Sequence, residues 1–229
     1  MKNNAILLLS GGLDSVVSLA FLKDTYSDIL ALTFNYGQKS FLAEKKASEK
    51  IAKFYNIKHE VIDLDWLSKI STSALNTDND VPNLAKSDLN SIAVTQNSVK
   101  SVWVPNRNGL FVNIAACYAE SFGYDSIIIG ANKEEAATFK DNSIDFINAI
   151  NNSLKNSTNS TVKLVAPLVE LSKIDIIKKA IELNVPFEFI HSCYISNEKH
   201  CGKCESCLRL LRALEENQAL DLIKIIFDR

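Results

Sequence analysis

The sequence lacks the features that would assign it to a membrane, a secretory route or a nucleic-acid surface. No apolar run approaches the roughly 18 residues needed to span a bilayer. Lys and Arg number 25 against 27 Asp and Glu, a net charge of −2. That balance carries no electrostatic footprint of direct nucleic-acid binding. The start, Met1-Lys2-Asn3-Asn4, runs straight into a strand-like stretch without a leader, which predicts a cytoplasmic protein. In that compartment cysteines are expected as thiols or metal ligands rather than disulfides. No internal repeat is present. The G-K-[ST] of a Walker loop and the G-x-G-x-x-G of a dinucleotide site are both missing.

What is present is one α/β pattern. With 229 residues and 47% hydrophobic content, the chain can bury one good core, so residues 1–229 are expected as a single domain. Its first stretch, Ile6-Leu7-Leu8-Leu9-Ser10-Gly11-Gly12-Leu13-Asp14-Ser15-Val16-Val17, reads as strand, tight glycine turn and helix. The turn at 10–15 would present N–H groups and hydroxyls at a helix N-terminus, a ready anion site. An ordinary connection capped by Asp14 or Ser15 is the alternative.

Strands are then expected at 29–34, 59–64, 126–130 and 162–167, with helices at 40–55 and 109–122. This alternation predicts a doubly wound, mainly parallel sheet with helices on both faces. Residues 68–101 are rich in Ser, Thr, Asn and Asp and read as irregular, either a lid or a solvated insertion. Arg107 sits at a helix start, where it suits phosphate or carboxylate, or simple packing. Ser172 reads as an N-cap with Asp175 closing a capping box. His59 reads as structural and Cys117 as a small core residue.

The second strong pattern is Cys193, Cys201, Cys204 and Cys207, spaced C-x7-C-x2-C-x2-C. Four thiolates so spaced can close a tetrahedral zinc site in a knuckle at 190–210, ahead of a helix at 208–214. An iron–sulfur cluster is the alternative, although the C-x3-C-P continuation of bacterial ferredoxins is missing. His191 and His200 are expected outside the ligand set or exposed. Lys199, Lys203 and Arg209 are expected to offset the dianionic zinc–thiolate core.

S-G-G-x-D-S after an N-terminal strand resembles the pyrophosphate loop of the N-type ATP pyrophosphatases. Four further motifs follow in order: F-N-Y-G-Q, V-P-x-R-N, P-L-x-x-L-S-K-x-[DE]-I and the four-cysteine knuckle. With them, nearly the whole chain resembles the 7-cyano-7-deazaguanine synthases of queuosine biosynthesis. The resemblance implies an adenine nucleotide alpha hydrolase-like fold. It implies ATP held by Leu8, Leu9, Ser10, Gly11, Gly12, Leu13, Asp14, Ser15, Val16, Val17 and Ser18, with adenine near Thr33 and Phe34 and Gln38 facing the active centre. Asp14, Ser15, Lys173 and Arg107 would carry catalysis, Lys173 meeting the β and γ phosphates and Asp14 a magnesium ion. Arg107 and one or both of Glu135 and Asp141 would bind 7-carboxy-7-deazaguanine. A carboxylate can accept the two adjacent donors of a guanine-like base, and a solvated acidic loop is the alternative there. Ammonia is the implied co-substrate, with no nucleic acid or membrane partner, and a homodimer is left open.

Three features depart from the family pattern. Asn106 stands where a glycine is usual, Glu135 replaces an Asp, and Asn142-Ser143 replace a Cys-Arg pair. Rival readings are a tRNA thiolase, a relative that stops at the amide, or a nucleotide sensor without turnover.

Overall fold

The computed structural model describes residues 3–195 and 198–227. Met1 and Lys2 at the chain start, Ser196 and Asn197 within the expected knuckle, and Asp228 and Arg229 lie outside them. In chain order the elements are β1 (Asn4–Leu8), α1 (Leu13–Leu22), β2 (Asp28–Asn35), α2 (Phe41–Tyr55) and β3 (Lys58–Asp63). After these come α3 (Asp65–Ile70), α4 (Ile92–Val102), α5 (Arg107–Phe122), β4 (Ser126–Ile128) and α6 (Lys133–Ala136). The chain continues through α7 (Ile144–Ser157), β5 (Lys163–Val165), α8 (Lys173–Glu182), α9 (Glu205–Glu216) and α10 (Leu220–Phe227).

The strands form one five-stranded parallel sheet in the order β3-β2-β1-β4-β5. The apolar run of β1 suits its central place, where both faces are covered: Ala5, Ile6 and Leu7 have no exposed surface. Burying a side chain such as Ile6 or Leu7 contributes about 1.5–3 kcal/mol. From β1 the chain moves outward to β2 and β3, then crosses back to β4 and β5. By the right-handed rule for parallel crossovers, connections running in opposite directions bring α1 and α2 to one face and α5 and α7 to the other. The reversal beside β1 is the switch point at which such sheets bind ligands, beyond the strand C-termini.

Local chemistry explains the helix ends that matter for the site. Ser172 caps α8 by accepting the Asp175 N–H, and Asp175 Oδ2 returns the bond to the Ser172 N–H, the expected capping box. Asn106 ahead of α5 has φ 50°. That left-handed conformation is open to glycine and, among other residues, best tolerated by Asn, which accounts for Asn where a glycine is usual. Its side chain occupies the space that a Cβ at Gly109 would take.

Several expectations need correction. Residues 68–101 are not irregular throughout: α4 and a short 3-10 turn at Lys86–Asn90 lie within them. Ser91 caps α4, but its Thr, Gln, Asn and Ser content hides the helical period. The helix expected at 208–214 begins earlier, at Glu205, with Cys204 as N-cap. Cys117 is exposed, because α5 turns Val112, Ala115, Ala116 and Ala119 inward and leaves 117 on the outer face. Among the described residues no helix is long and apolar enough to cross a membrane.

Candidate active site

The loop at 10–15 leaves β1 at the switch point and is shaped by glycines. Gly11 has φ +73°, and a Cβ there would lie 2.6 Å from Ala47 Cβ on α2, so only glycine lets the loop pack so closely. A Cβ at Gly130, after β4, would lie 2.6 Å from the Ser15 nitrogen. Ser15 Oγ donates to Gly12 O at 2.9 Å, and Ser10 Oγ accepts the Gly12 N–H at 3.3 Å. From the far end of the chain, Ser192 Oγ accepts the Leu13 N–H at 3.2 Å and the His191 N–H donates to Gly11 O at 2.9 Å.

Beside this loop lies a buried ionic cluster. Lys173, first residue of α8 and 6% exposed, donates to Asp14 Oδ2 at 2.7 Å and to Glu135 Oε1 at 2.8 Å. Asn132, fully buried, donates to Asp14 Oδ2 at 3.2 Å while its Oδ1 accepts the Glu135 N–H. Burial raises the Asp14 carboxyl to about 6 despite the lysine. Burial acts against Glu135 too, but Lys173 prevails and holds its carboxyl below the ordinary value. The same two carboxylates overcome the burial of Lys173 and keep it protonated. One oxygen, Asp14 Oδ1, is buried with no hydrogen-bond partner. An orphaned buried carboxylate oxygen of this kind fits a hard cation.

The loop and cluster open into a cavity of about 230 Å³. Across it, Arg107 donates to the Tyr36 hydroxyl at 3.2 Å and to Asn108 Oδ1 at 3.3 Å. Asp141 lies nearby, its carboxyl raised by burial, with Arg107 pulling the other way. Trp103 and Phe139 line the same space with rings nearly parallel, 12° apart and 6.4 Å between centroids. A flat heterocycle can stack on such faces.

Among the described residues, Cys193, Cys201, Cys204 and Cys207 form the one group of three or more Cys, His, Asp or Glu side chains close enough to share a metal ion, with all four sulfurs within 4.8 Å of one another. His191 and His200 are buried rather than exposed. Burial and the neighbouring His191 push His200 down to about 4, so its Nε2 stays free to accept the Ser192 N–H at 2.9 Å. Arg209 does not serve the sulfurs as expected. It is spent on Glu205, four residues before it on α9, and on Glu134.

A family model described as queuosine biosynthesis protein QueC matches residues 4–218. The chain belongs to the QueC family. The 7-cyano-7-deazaguanine synthase of Methanobrevibacter smithii is 48% identical over 215 residues, covering 94% of each chain. That of Carboxydothermus hydrogenoformans is 50% identical over 210 residues, covering 91% of this chain and 97% of the relative. Among solved structures, the NH3-dependent NAD synthetase of Campylobacter jejuni aligns over 99% of this chain and 83% of its own, with 16% identity and a TM-score of 0.48.

Within this QueC fold the nucleotide- and substrate-site residues singled out from sequence fall mainly into two groups. Leu8, Leu9, Ser10, Gly12, Leu13, Asp14, Ser15, Phe34, Gln38, Arg107, Glu135, Asp141 and Lys173 all line the cavity. Val16, Val17 and Ser18 face the core, each without exposed surface, because α1 turns that side onto the sheet. Thr33 is likewise buried, its hydroxyl between Leu9 O and His59 Nε2. Gln38 reaches the cavity wall, but its amide is bonded to Tyr36 N, Phe34 O and Glu44. The two carboxylates proposed for the base separate: Glu135 is bound to Lys173, and Asp141 stands with Arg107. The departure at 143 has a local cause, since Ser143 caps α7 by accepting the Phe146 N–H. Residues that sequence reading missed are Tyr36, Trp103, Asn132, Phe139 and Ser192. Asn132 alone had a usable signal, an N-cap Asn before Lys-Glu-Glu.

Proposed function

We propose that this chain is an ATP-dependent 7-cyano-7-deazaguanine synthase of the cytoplasm, acting on 7-carboxy-7-deazaguanine and ammonia. The observation that carries this reading is the buried Asp14–Lys173–Glu135 cluster beside the residue 10–15 loop, in one cavity with Arg107 and Asp141. The loop receives the phosphates at the N-terminus of α1. Lys173, a compact charge on a flexible stem, follows the β and γ phosphates as pyrophosphate leaves. Asp14 Oδ1 suits a magnesium ion, which when bound would neutralise phosphate charge.

The reaction has three stages. A carboxylate oxygen of the substrate attacks the α-phosphorus of ATP and displaces pyrophosphate. Ammonia then attacks the acyl carbon, AMP departs, and the nitrogen loses a proton to give the amide. The amide oxygen then attacks the α-phosphorus of a second ATP and displaces pyrophosphate with loss of one nitrogen proton, and departure of AMP with loss of the other proton leaves the nitrile. ATP supplies the leaving groups, so the protein contributes placement and charge stabilisation. Asp141 accepts the two donors of the base, because Glu135 is occupied by Lys173. Trp103 and Phe139 flank the heterocycle. Arg107 pairs with the substrate carboxylate, a task open here because Ser143 stands in for the family's arginine.

The four cysteines hold zinc in this reading. Tetrahedral thiolates about 2.3 Å from zinc lie about 3.8 Å apart, and Cys201 and Cys207 are 3.8 Å apart. A cubane cluster binds each thiolate on a different iron and needs wider spacing. The deciding experiment is pyrophosphate release with and without the deazaguanine acid and ammonia, alongside elemental analysis. Release that requires the acid, nitrile as product and one zinc per chain are expected. Turnover that instead requires tRNA, or a product arrested at the amide, would overturn the reading.

A further inference from the structure

The knuckle is joined in space to the 10–15 loop and to Lys173, both distant in sequence, by two separate sets of hydrogen bonds. The first comes from the residues ahead of Cys193. The His191 N–H is bonded to Gly11 O, and Ser192 Oγ accepts the Leu13 N–H. Ser192 is itself held through its N–H by His200, the residue before Cys201. The second comes from α9, which Cys204 caps. Arg209, 5% exposed, donates to Glu205 through Nε and Nη2 at 3.1 and 2.7 Å. Its Nη1 donates to Glu134 Oε1 at 2.6 Å, and Arg212 joins the same oxygen. Glu134 Oε2 in turn accepts the Lys173 N–H at 3.4 Å, next to Glu135 on the lysine's ammonium.

We infer that the knuckle is a positioning element for the phosphates of ATP: Ser192 sets the phosphate loop, and Arg209, through Glu134, sets Lys173. This rests on the reading of residues 10–15 and Lys173 as the phosphate site. Gly11 and Gly12 give that loop backbone freedom, and a ligand that must first order it binds more weakly. Bonds to Gly11 O and Leu13 N–H from outside the loop hold its shape before a ligand arrives. The Arg209 fork does the same for the start of α8, because a planar guanidinium bridging two carboxylates has little orientational freedom. A knuckle that only fastened the C-terminal helices would have no need of either reach.

The test uses the full metal-bound chain and the variants Ser192→Ala, Ser192→Thr and Arg209→Lys. Inorganic pyrophosphate and ATP are titrated by calorimetry without the base, and KM is measured for each substrate, together with metal content and unfolding midpoint. Ser192→Ala is expected to weaken pyrophosphate and ATP by about three- to tenfold, the worth of one hydrogen bond. KM for the acid and the metal content should hold, with the midpoint within about 4 °C. Ser192→Thr, which keeps the hydroxyl, should recover the affinity. Arg209→Lys keeps the charge, loses the fork and should raise KM for ATP alone. Unchanged pyrophosphate affinity in Ser192→Ala and Arg209→Lys overturns the inference. So does an affinity that falls only in step with lost metal and lost folded protein. An unmutated chain that binds neither pyrophosphate nor ATP refutes the phosphate-site reading, and this inference with it.

Discussion

The two ends of the cavity are built differently. At the proposed phosphate end, groups from four segments converge: the 10–15 loop, Asn132 with Glu135, Lys173 and the His191-Ser192 pair. Several of their bonds span more than a hundred residues of sequence. At the proposed base end, Asp141 sits in a short 3-10 turn, Asn142 bonds to its neighbour Asp141, and Trp103 is 36% exposed. The departures from the resemblance at 106, 142 and 143 fall at this second end or beside it, the Glu135 departure falls on Lys173 at the first, and the S-G-G-x-D-S string is intact. Chemistry common to many substrates demands preorganised charge, whereas recognition of one base can be rebuilt on short turns. Under the proposed function, the rigid end would serve the reaction and the local end the choice of substrate.

The largest expected effect breaks the phosphate end. Lys173→Met leaves Asp14 and Glu135 facing each other without their cation. Pyrophosphate release should fall by about 10²–10³, the scale for removing a charge-stabilising donor, while base binding by calorimetry stays within about twofold. Equal losses in both would dissolve the distinction between the ends.

The next sharpens it by exchanging carboxylates. Asp141→Asn should weaken base binding by about 1.5–3 kcal/mol, the range for hydrogen bonds to a charged group, with ATP affinity unchanged. Glu135→Gln should do the reverse, disturbing ATP through Lys173. If both variants lose the base alone, Glu135 belongs to the recognition end after all.

A pH titration should probe the phosphate end at smaller scale. Asp14, raised to about 6 by burial, must be ionised to hold Lys173 and a cation, so kcat should decline as pH falls through about 6. Its effect on stability has the opposite sign. Between its unfolded value near 4 and its folded value the native chain binds the extra proton, so this contribution is full below about 4 and lost as pH rises to 6. Glu135, held below its ordinary value by Lys173, contributes above its unfolded value and loses that contribution on acidification. Asp14→Asn should therefore abolish the acid limb, as read in pH–rate profiles; an acid limb that survives would assign it to another group.

The smallest effect tests backbone alone. Asn106→Ala puts a side chain that disfavours φ 50° into the left-handed region, at about 1–2 kcal/mol. Chemical denaturation should register that loss, and Asn106→Gly should register much less.

What the sequence made legible was whatever its chemistry writes contiguously. The 10–15 loop, the four cysteines, the Ser172–Asp175 cap and the strands around β1 are local strings, and each stands where its pattern put it. Asn132, Ser192 and the Arg209–Glu134 pair act through partners far along the chain, which no spacing records. Arg209 looked like a counter-ion for sulfur because Cys207 is near in sequence, yet α9 turns it toward Glu205 and Glu134. The helix α4 was hidden because Ser and Asn suit turns as well as exposed helix faces.

The exposed Cys117 gives the protein a built-in gauge. Five cysteines are present, and four of them stand together in the knuckle, three buried and one half-buried. A thiol-reactive dye added to the metal-loaded chain should therefore count one fast-reacting site, and five once chelator and denaturant open the knuckle. The difference of four reports that the knuckle is closed, and the same count taken after chelator alone tests whether a metal closes it. The same thiol, ten residues along α5 from Arg107 and so about 15 Å away along the helix axis, offers an attachment point for a fluorophore that leaves the knuckle untouched.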